Sequence, residues 1–169
     1  IAPSQRGYEL GGDQTPMIPA GIDHRTYDEL LKKYVDDRGL VDYQAWKENE
    51  SDLQALDDYL AQYAPKPEQA AEGKALSASL INGYNAFAMK FILDHYPTDS
   101  IMALAHPFDG RRFTVGGEKI SLNDIEHGGL RPHYGYRGHA ALVCVARTCP
   151  PLRNEAYTPD RLEEQVTET

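Results

Sequence analysis

A cysteine followed by two prolines, Cys149-Pro150-Pro151, is the residue of this chain best suited to nucleophilic chemistry. The thiolate is the reactive form of cysteine, and nearby positive charge lowers the pKa that governs its formation. Arg147 and Arg153 flank Cys149 in a segment that reads as a loop, Ala146 to Arg153. Cys144 lies inside the apolar run Ala140 to Val145, where burial raises a thiol's pKa and leaves it inert. A thiol nucleophile needs a base within hydrogen-bond reach, and often a third group to orient that base. His139 opens the segment leading to the cysteine loop, and Glu126 precedes it on a short helix. In a regular strand an odd separation puts His139 and Cys144 on opposite faces, which leaves Cys149 as the natural partner of His139. Cys149 as nucleophile, His139 as base and Glu126 as orienting carboxylate are therefore expected at one cleft. The plainer readings stand beside this one: a rigid Cys-Pro-Pro turn, a histidine bonded to a backbone carbonyl, and a solvated carboxylate.

Asn82 and Asn85 lie three apart on the most apolar helix and share a face. Buried amides must find partners, so the pair is expected to hold the hairpin or the cysteine loop, with substrate binding at the cleft floor as the second reading. Of the other histidines, His24 and His95 sit on or beside helices with no cluster nearby, His106 and His133 fall in loops next to proline, and His127 follows Glu126. The cysteine spacing lacks the closely paired knuckles of a zinc site, and no metal or other cofactor is expected. There is no glycine-rich phosphate loop, no Gly-x-Ser-x-Gly elbow and no His-Glu-x-x-His.

The elements that must position these residues follow from the apolar spacing. Residues 1–22 read as an extended arm, ordered only by docking, and residues 23–169 as a single globular domain. Tyr27, Leu30, Leu31 and Tyr34 mark a first helix with Asp23 as its cap, ended by Asp36-Asp37-Arg38-Gly39. Leu40 to Tyr43 reads as extended. Ser51-Asp52-Leu53-Gln54 is a capping-box pattern for a second helix that Pro65 and Pro67 stop. The next helix, about 75–95, is apolar nearly all round and should be the most buried element. Gly116-Gly117 between Phe113-Thr114-Val115 and Glu118-Lys119-Ile120 is a hairpin signal. Ser121 to Asp124 resembles a second capping box, opening a short helix through Glu126 that Gly128-Gly129 ends; residues 130–138 read as loop and Ala140 to Val145 as a strand. Thr158 caps a last helix with Pro159 at its first position. The fold class is α+β: a helix-dominated single domain with a small antiparallel β-sheet.

With 17 Lys+Arg against 26 Asp+Glu the net charge is −9, which disfavours a nucleic-acid partner. No run reaches the length of a membrane span. A small-molecule or peptide substrate and a protein partner are the classes that fit.

Val41-Asp42-Tyr43 with Trp46, Leu80 to Ala86, Ser121 to Glu126, and His139 to Cys144 through Cys149-Pro150-Pro151-Leu152 together resemble the domain of unknown function 547 family of bacteria and plants. The resemblance runs in order over about residues 25–169. It implies a domain rather than an activity, and it implies an exported, periplasmic or secreted, location. Its motif positions fall on Asn82, Asn85, Glu126, His139, Cys144 and Cys149. Ser79 and Ala140 stand where aromatic residues are expected, and the chain stops within a helix where members usually continue. A buried helix beside a small sheet with Cys and His is papain- or transglutaminase-like by analogy of fold. The leading expectation is a thiol-dependent hydrolase or acyl transferase acting on an amide or thioester. The alternatives are a non-catalytic envelope binding or scaffold domain with a Cys144–Cys149 disulfide, and a thiol-redox module in which Cys144 resolves.

Overall fold

Helix α4 (Gly73–Asp94) buries every residue from Ser77 to Met89, together with Phe91 and Leu93. A helix with no polar face leaves water only if other elements cover it on all sides. The computed structural model describes residues 9–98, 100–135, 138, 141–142 and 152–168, and three separate stripes of α4 are covered in three ways. Along Ser79, Phe87 and Lys90 it meets α3 (Glu50–Ala61) and the residues just beyond: the Tyr63 hydroxyl donates to the Ser79 carbonyl at 2.8 Å, and the Tyr63 and Phe87 rings meet edge-on at 5.8 Å. Along Leu80 and Tyr84 it meets a π-helix (Asp124–Leu130). Along Asn82 and Asn85 it is covered by chain near Ala141 and Tyr157. Each Leu, Ile, Met or Phe so buried contributes about 1.5–3 kcal/mol.

Helices α1 (Arg25–Tyr34) and α2 (Tyr43–Lys47) complete the helical side through aromatic stacks. Tyr27 stacks on Tyr59 of α3 at 4.9 Å, and Tyr34 stacks on the fully buried Trp46 at 4.8 Å. The Trp46 indole donates to the Asp52 carbonyl at 3.2 Å, so its one polar atom is satisfied.

The expected hairpin forms: β3 (Phe113–Val115) pairs antiparallel with β4 (Glu118–Ile120), Phe113 opposite Ile120. Gly116 and Gly117 have φ of 60° and 82°, the left-handed values a two-residue turn requires. A second antiparallel pair joins β1 (Glu9–Leu10) to β2 (Gly110–Arg111). The helix-dominated α+β class therefore stands. The expected strand at 140–145 is not seen in its described part, since Ala141 lies in a 3-10 turn and Leu142 in a bend; the rest of it lies outside the described residues.

Several local expectations are corrected. Asn49, not Ser51, caps α3, accepting from the Asp52 amide at 3.1 Å; an asparagine two residues upstream outcompetes the serine. Asp42, read as extended, caps α2 through the Ala45 amide, so Tyr43 starts a helix. His24 rather than Asp23 occupies the cap position of α1, and the Asp23 carboxylate instead grips Arg25. Pro159 and Asp160 form a turn, and the last helix, α6 (Leu162–Glu168), starts later. Gly128-Gly129 do not end a helix. The chain passes through them in the π-helix and on through α5 (Arg131–Tyr134), which takes up the first part of the loop expected at 130–138.

The reason for those glycines is close approach. Residues 9–22 cross the domain, with Gly11 accepting from the Ser121 hydroxyl, Gln14 donating to Asp124, and Ile18 buried where it accepts from the Ala71 amide. A Cβ on Gly128 would lie 2.1 Å from the Gln14 carbonyl oxygen, and one on Gly129 would meet Leu80 at 2.9 Å. Gly128→Ala is expected to push the arm off the π-helix and lower stability by about 1–3 kcal/mol. Urea unfolding, with limited proteolysis across residues 9–22, reads both effects; unchanged stability and an unchanged arm would refute this packing.

Candidate functional site

Ser121 and Asp124 form the reciprocal capping box that their spacing predicts. The Asp124 amide donates to Ser121 Oγ at 3.0 Å, and the Ser121 amide donates to Asp124 Oδ2 at 2.9 Å. The box launches a wider helix than expected, the π-helix that carries Glu126. Such local widening is uncommon and frequently marks functional positions.

The Asp124 carboxylate is fully buried and accepts four hydrogen bonds from three groups: Arg111 through Nε at 2.9 Å and Nη2 at 3.3 Å, the Ser121 amide, and the Gln14 amide at 2.9 Å. Burial acts to raise its pKa, but the Arg111 bonds and the two amides outweigh burial and hold the carboxyl below the usual range. This pair had no signal in the sequence beyond the capping serine, because Arg111 and Asp124 meet only once the hairpin folds back.

Glu126 is buried, with its carboxylate 3.8 Å from Arg131. Glu126 lies in the first turn of the π-helix, which continues into α5, and is buried rather than solvated. Burial, reinforced by the charge of Glu126, pushes up the Tyr84 hydroxyl on α4. Leu130, one π-turn beyond Glu126, packs against Gly138, where a Cβ would come within 2.7 Å of it. The π-helix therefore touches the chain one residue before His139.

Both asparagines of α4 are buried and bonded to backbone. Asn82 pairs with Tyr157 in both directions, donating to its carbonyl at 2.8 Å and accepting from its amide at 2.9 Å. Asn85 donates to the Ala141 carbonyl at 3.0 Å. One helical turn thus anchors the chain on both sides of residues 143–151. Cys149, His139 and Cys144 lie outside the described residues. Arg153, counted above as positive charge near Cys149, is committed to carboxylates: its Nη2 pairs with Glu155 and with Glu168 at 3.1 Å, and Nη1 donates to the Gln165 carbonyl.

The remaining histidines scatter. His133 stands on α5 with Nε2 at 2.9 Å from the Gly73 carbonyl, and His95 bonds the Phe91 carbonyl one turn back. His106 lies 3.3 Å from Asp109. His24 departs from expectation, since its Nδ1 lies 2.7 Å from Tyr59 Oη and its Nε2 3.3 Å from Ser79 Oγ. No group of His, Cys, Asp and Glu among the described residues could hold a metal ion. A cleft of about 460 Å³ opens on another side of α4, floored by Phe87, Phe91 and Phe113, with Lys90 held 2.8 Å from both Asp57 and Asp94.

Asn82→Ala would remove both hydrogen bonds that tie α4 to the Tyr157 backbone, and Asn85→Ala the one to the Ala141 carbonyl, so a loss of about 1–3 kcal/mol is expected for each. Equal, negligible losses in urea unfolding would show that neither anchor holds. Asp124→Asn tests the buried pair by pH. The folded carboxyl is depressed, so its contribution is present above the ordinary carboxylate value and is lost as acidification protonates it. The wild type should therefore lose its advantage over the variant, about 3 kcal/mol at neutral pH, as pH falls below 4. A difference that does not change with pH would refute the assignment.

No helix among the described residues is long and apolar enough to cross a membrane. No curated protein matches the chain, and no solved structure matches it, so the papain- and transglutaminase-like comparison remains one of analogy. A family model described as "Protein of unknown function, DUF547" matches residues 69–169. The match takes in α4, the hairpin, the π-helix, the anchored segment and α6, and on that evidence the chain belongs to the DUF547 family of proteins of unknown function.

Proposed function

We propose that this protein is a thiol-dependent hydrolase or acyl transferase acting on an amide or thioester, with Cys149 as nucleophile, His139 as base and Glu126 as the carboxylate that orients it. We extend the proposal to its location, periplasmic or secreted. The observation that carries the reading is the pair of asparagine anchors. Asn85 holds the chain at Ala141 and Asn82 holds it at Tyr157, so the segment containing Cys149 leaves and returns to one face of a buried helix. Pinning both ends of a short segment lowers the entropy lost in holding one side chain for reaction. The contact of Leu130 with Gly138 adds support, since it brings the helix of Glu126 against the chain next to His139.

The chemistry needs no further group. The sulfur of Cys149 gives its proton to His139 and adds to the carbonyl carbon. The C–N or C–S bond breaks, and the leaving amine or thiol takes the proton back from the imidazolium. Water, or an acceptor nucleophile in a transferase, then attacks the thioester, yields its proton to His139 and releases the thiolate.

Alkylation of native protein by iodoacetamide, mapped by peptide, provides the test. Cys149 should label much faster than Cys144, with a midpoint below the ordinary thiol value near 8.5. His139→Gln should move that midpoint up, and Cys149→Ser should abolish the fast phase while leaving the fold intact. Absence of free thiol in the native protein would sink the hydrolase in favour of a disulfide-bonded scaffold, and a Cys149 no faster than free cysteine would sink it as well.

A further inference from the structure

The last turns of α4 line the cleft of about 460 Å³, a volume within the range of small-molecule sites. Its floor is aromatic: the Phe87 and Phe113 rings meet at 4.8 Å, and Phe91 meets Phe113 edge-on at 6.3 Å. Its two walls are held by charged side chains that are already in place. On the hairpin side the Arg112 guanidinium is set over Phe91, 4.2 Å from the ring centre, and donates to the His106 and Ala105 carbonyls at 2.9 and 2.8 Å. Gly110 makes room for it, since a Cβ there would lie 2.5 Å from Arg112 Nη2. On the α3 side Lys90 stands 2.8 Å from Asp57 of α3 and 2.8 Å from Asp94, one turn further along α4.

Over the whole cleft Asp57 and Asp94 balance Lys90 and Arg112, but the charges are not evenly spread. On the α3 side two carboxylates share one ammonium, which leaves that wall with negative charge in excess. Lys90 reaches Oδ1 of each, and the Oδ2 atoms of Asp57 and Asp94 have no protein partner among the described residues. His95, which caps the same helix, adds a third acceptor. Its Nδ1 lies 2.8 Å from the Phe91 carbonyl oxygen, which only accepts, so the neutral imidazole carries its proton there and leaves Nε2 bare. The negative end of the α4 dipole falls at the same place. We propose that this cleft binds a small organic amine as its ammonium, with the charged nitrogen at Asp57, Asp94 and His95 and an aromatic body on the phenylalanine floor. An anion would meet the two carboxylates, and a wholly apolar molecule would cover their oxygens without replacing the hydrogen bonds of water. Arg112 repels a positive nitrogen from the hairpin wall and so fixes which way round the amine lies. The cleft opens on a different side of α4 from the asparagine anchors, so the site is independent of the thiol chemistry.

The test is an NMR titration of the ¹⁵N-labelled full chain with phenethylamine, 2-phenylethanol and phenylacetate, which share a phenyl ring and differ in the charge at the end of the chain. The amine should shift the amides of Lys90 to His95 and of Phe113 and Thr114. It should bind about tenfold more tightly than the alcohol, as one hydrogen bond to a charged group provides, and phenylacetate should bind most weakly. Asp94→Asn should erase most of the amine's advantage over the alcohol. Lys90→Gln leaves both carboxylates uncompensated and should raise the affinity for the amine severalfold. A gain of affinity cannot come from lost folding, so the second variant keeps the test sound if the first is unstable. Alcohol or phenylacetate binding as tightly as the amine, shifts centred elsewhere, no saturable shift with the amine, or weaker amine binding by Lys90→Gln would each overturn the site.

Discussion

A helix that is apolar all round can exist in water only as the inside of something, and the rest of this protein is arranged by that requirement on α4. No single partner covers a cylinder, so the surrounding elements approach from separate directions, each with its own means of contact. The α3 side uses aromatic rings and one tyrosine hydroxyl, the π-helix side uses the absence of a side chain at Gly129, and the third side uses amides. The closeness of each approach follows from the shape of what meets α4.

Covering a helix so completely also buries polar groups, and their treatment organises the site. A buried amide without a partner costs more than a bond gains, so each one dictates where a neighbouring backbone must run. Asn82 and Asn85 do this for the chain at Tyr157 and Ala141, and Asp124 does it for Arg111, Ser121 and Gln14. In both cases a short polar side chain in the core fixes segments far away in sequence. The hydroxyl and imidazole ring at Ser79 is a third example, at the place where an aromatic residue was expected. There the Tyr63 hydroxyl donates to the Ser79 carbonyl and the Ser79 hydroxyl meets His24 Nε2, a hydrogen-bonded joint.

The π-helix brings these two themes together. It starts from a capping box, is pressed on one face by the arm and on another by Leu80, and carries Glu126 into a buried position beside Arg131 and Tyr84. Glu126 and Leu130 are four residues apart, about one turn of a π-helix, so they lie along one side of it. Widening the helix is thus compatible with Glu126 facing the core while Leu130 still reaches Gly138.

Periodicity and turn chemistry were local properties, and the sequence carried them by itself: α4, the Gly116-Gly117 hairpin, the Ser121–Asp124 capping box and the α+β class are all legible there. Local competition misled at the start of α3, where Asn49 was as well suited to cap as Ser51, and Asp42 caps a helix where an extended segment was expected. Gly128-Gly129 read as a helix end because glycine is most often punctuation, and only the arm lying against them shows that they are there for space. The candidate site was legible in part. Glu126 on its capped helix and the asparagine pair on one face of α4 followed from spacing, whereas their partners Arg131, Tyr157 and Ala141 did not. His24 was read as isolated because Tyr59 and Ser79, which its two ring nitrogens meet, are 35 and 55 residues away in the chain. Propensity acts between residues a few positions apart, but burial and hydrogen-bond satisfaction act between whichever residues the packing of α4 brings together, and that was decided only by the tertiary structure.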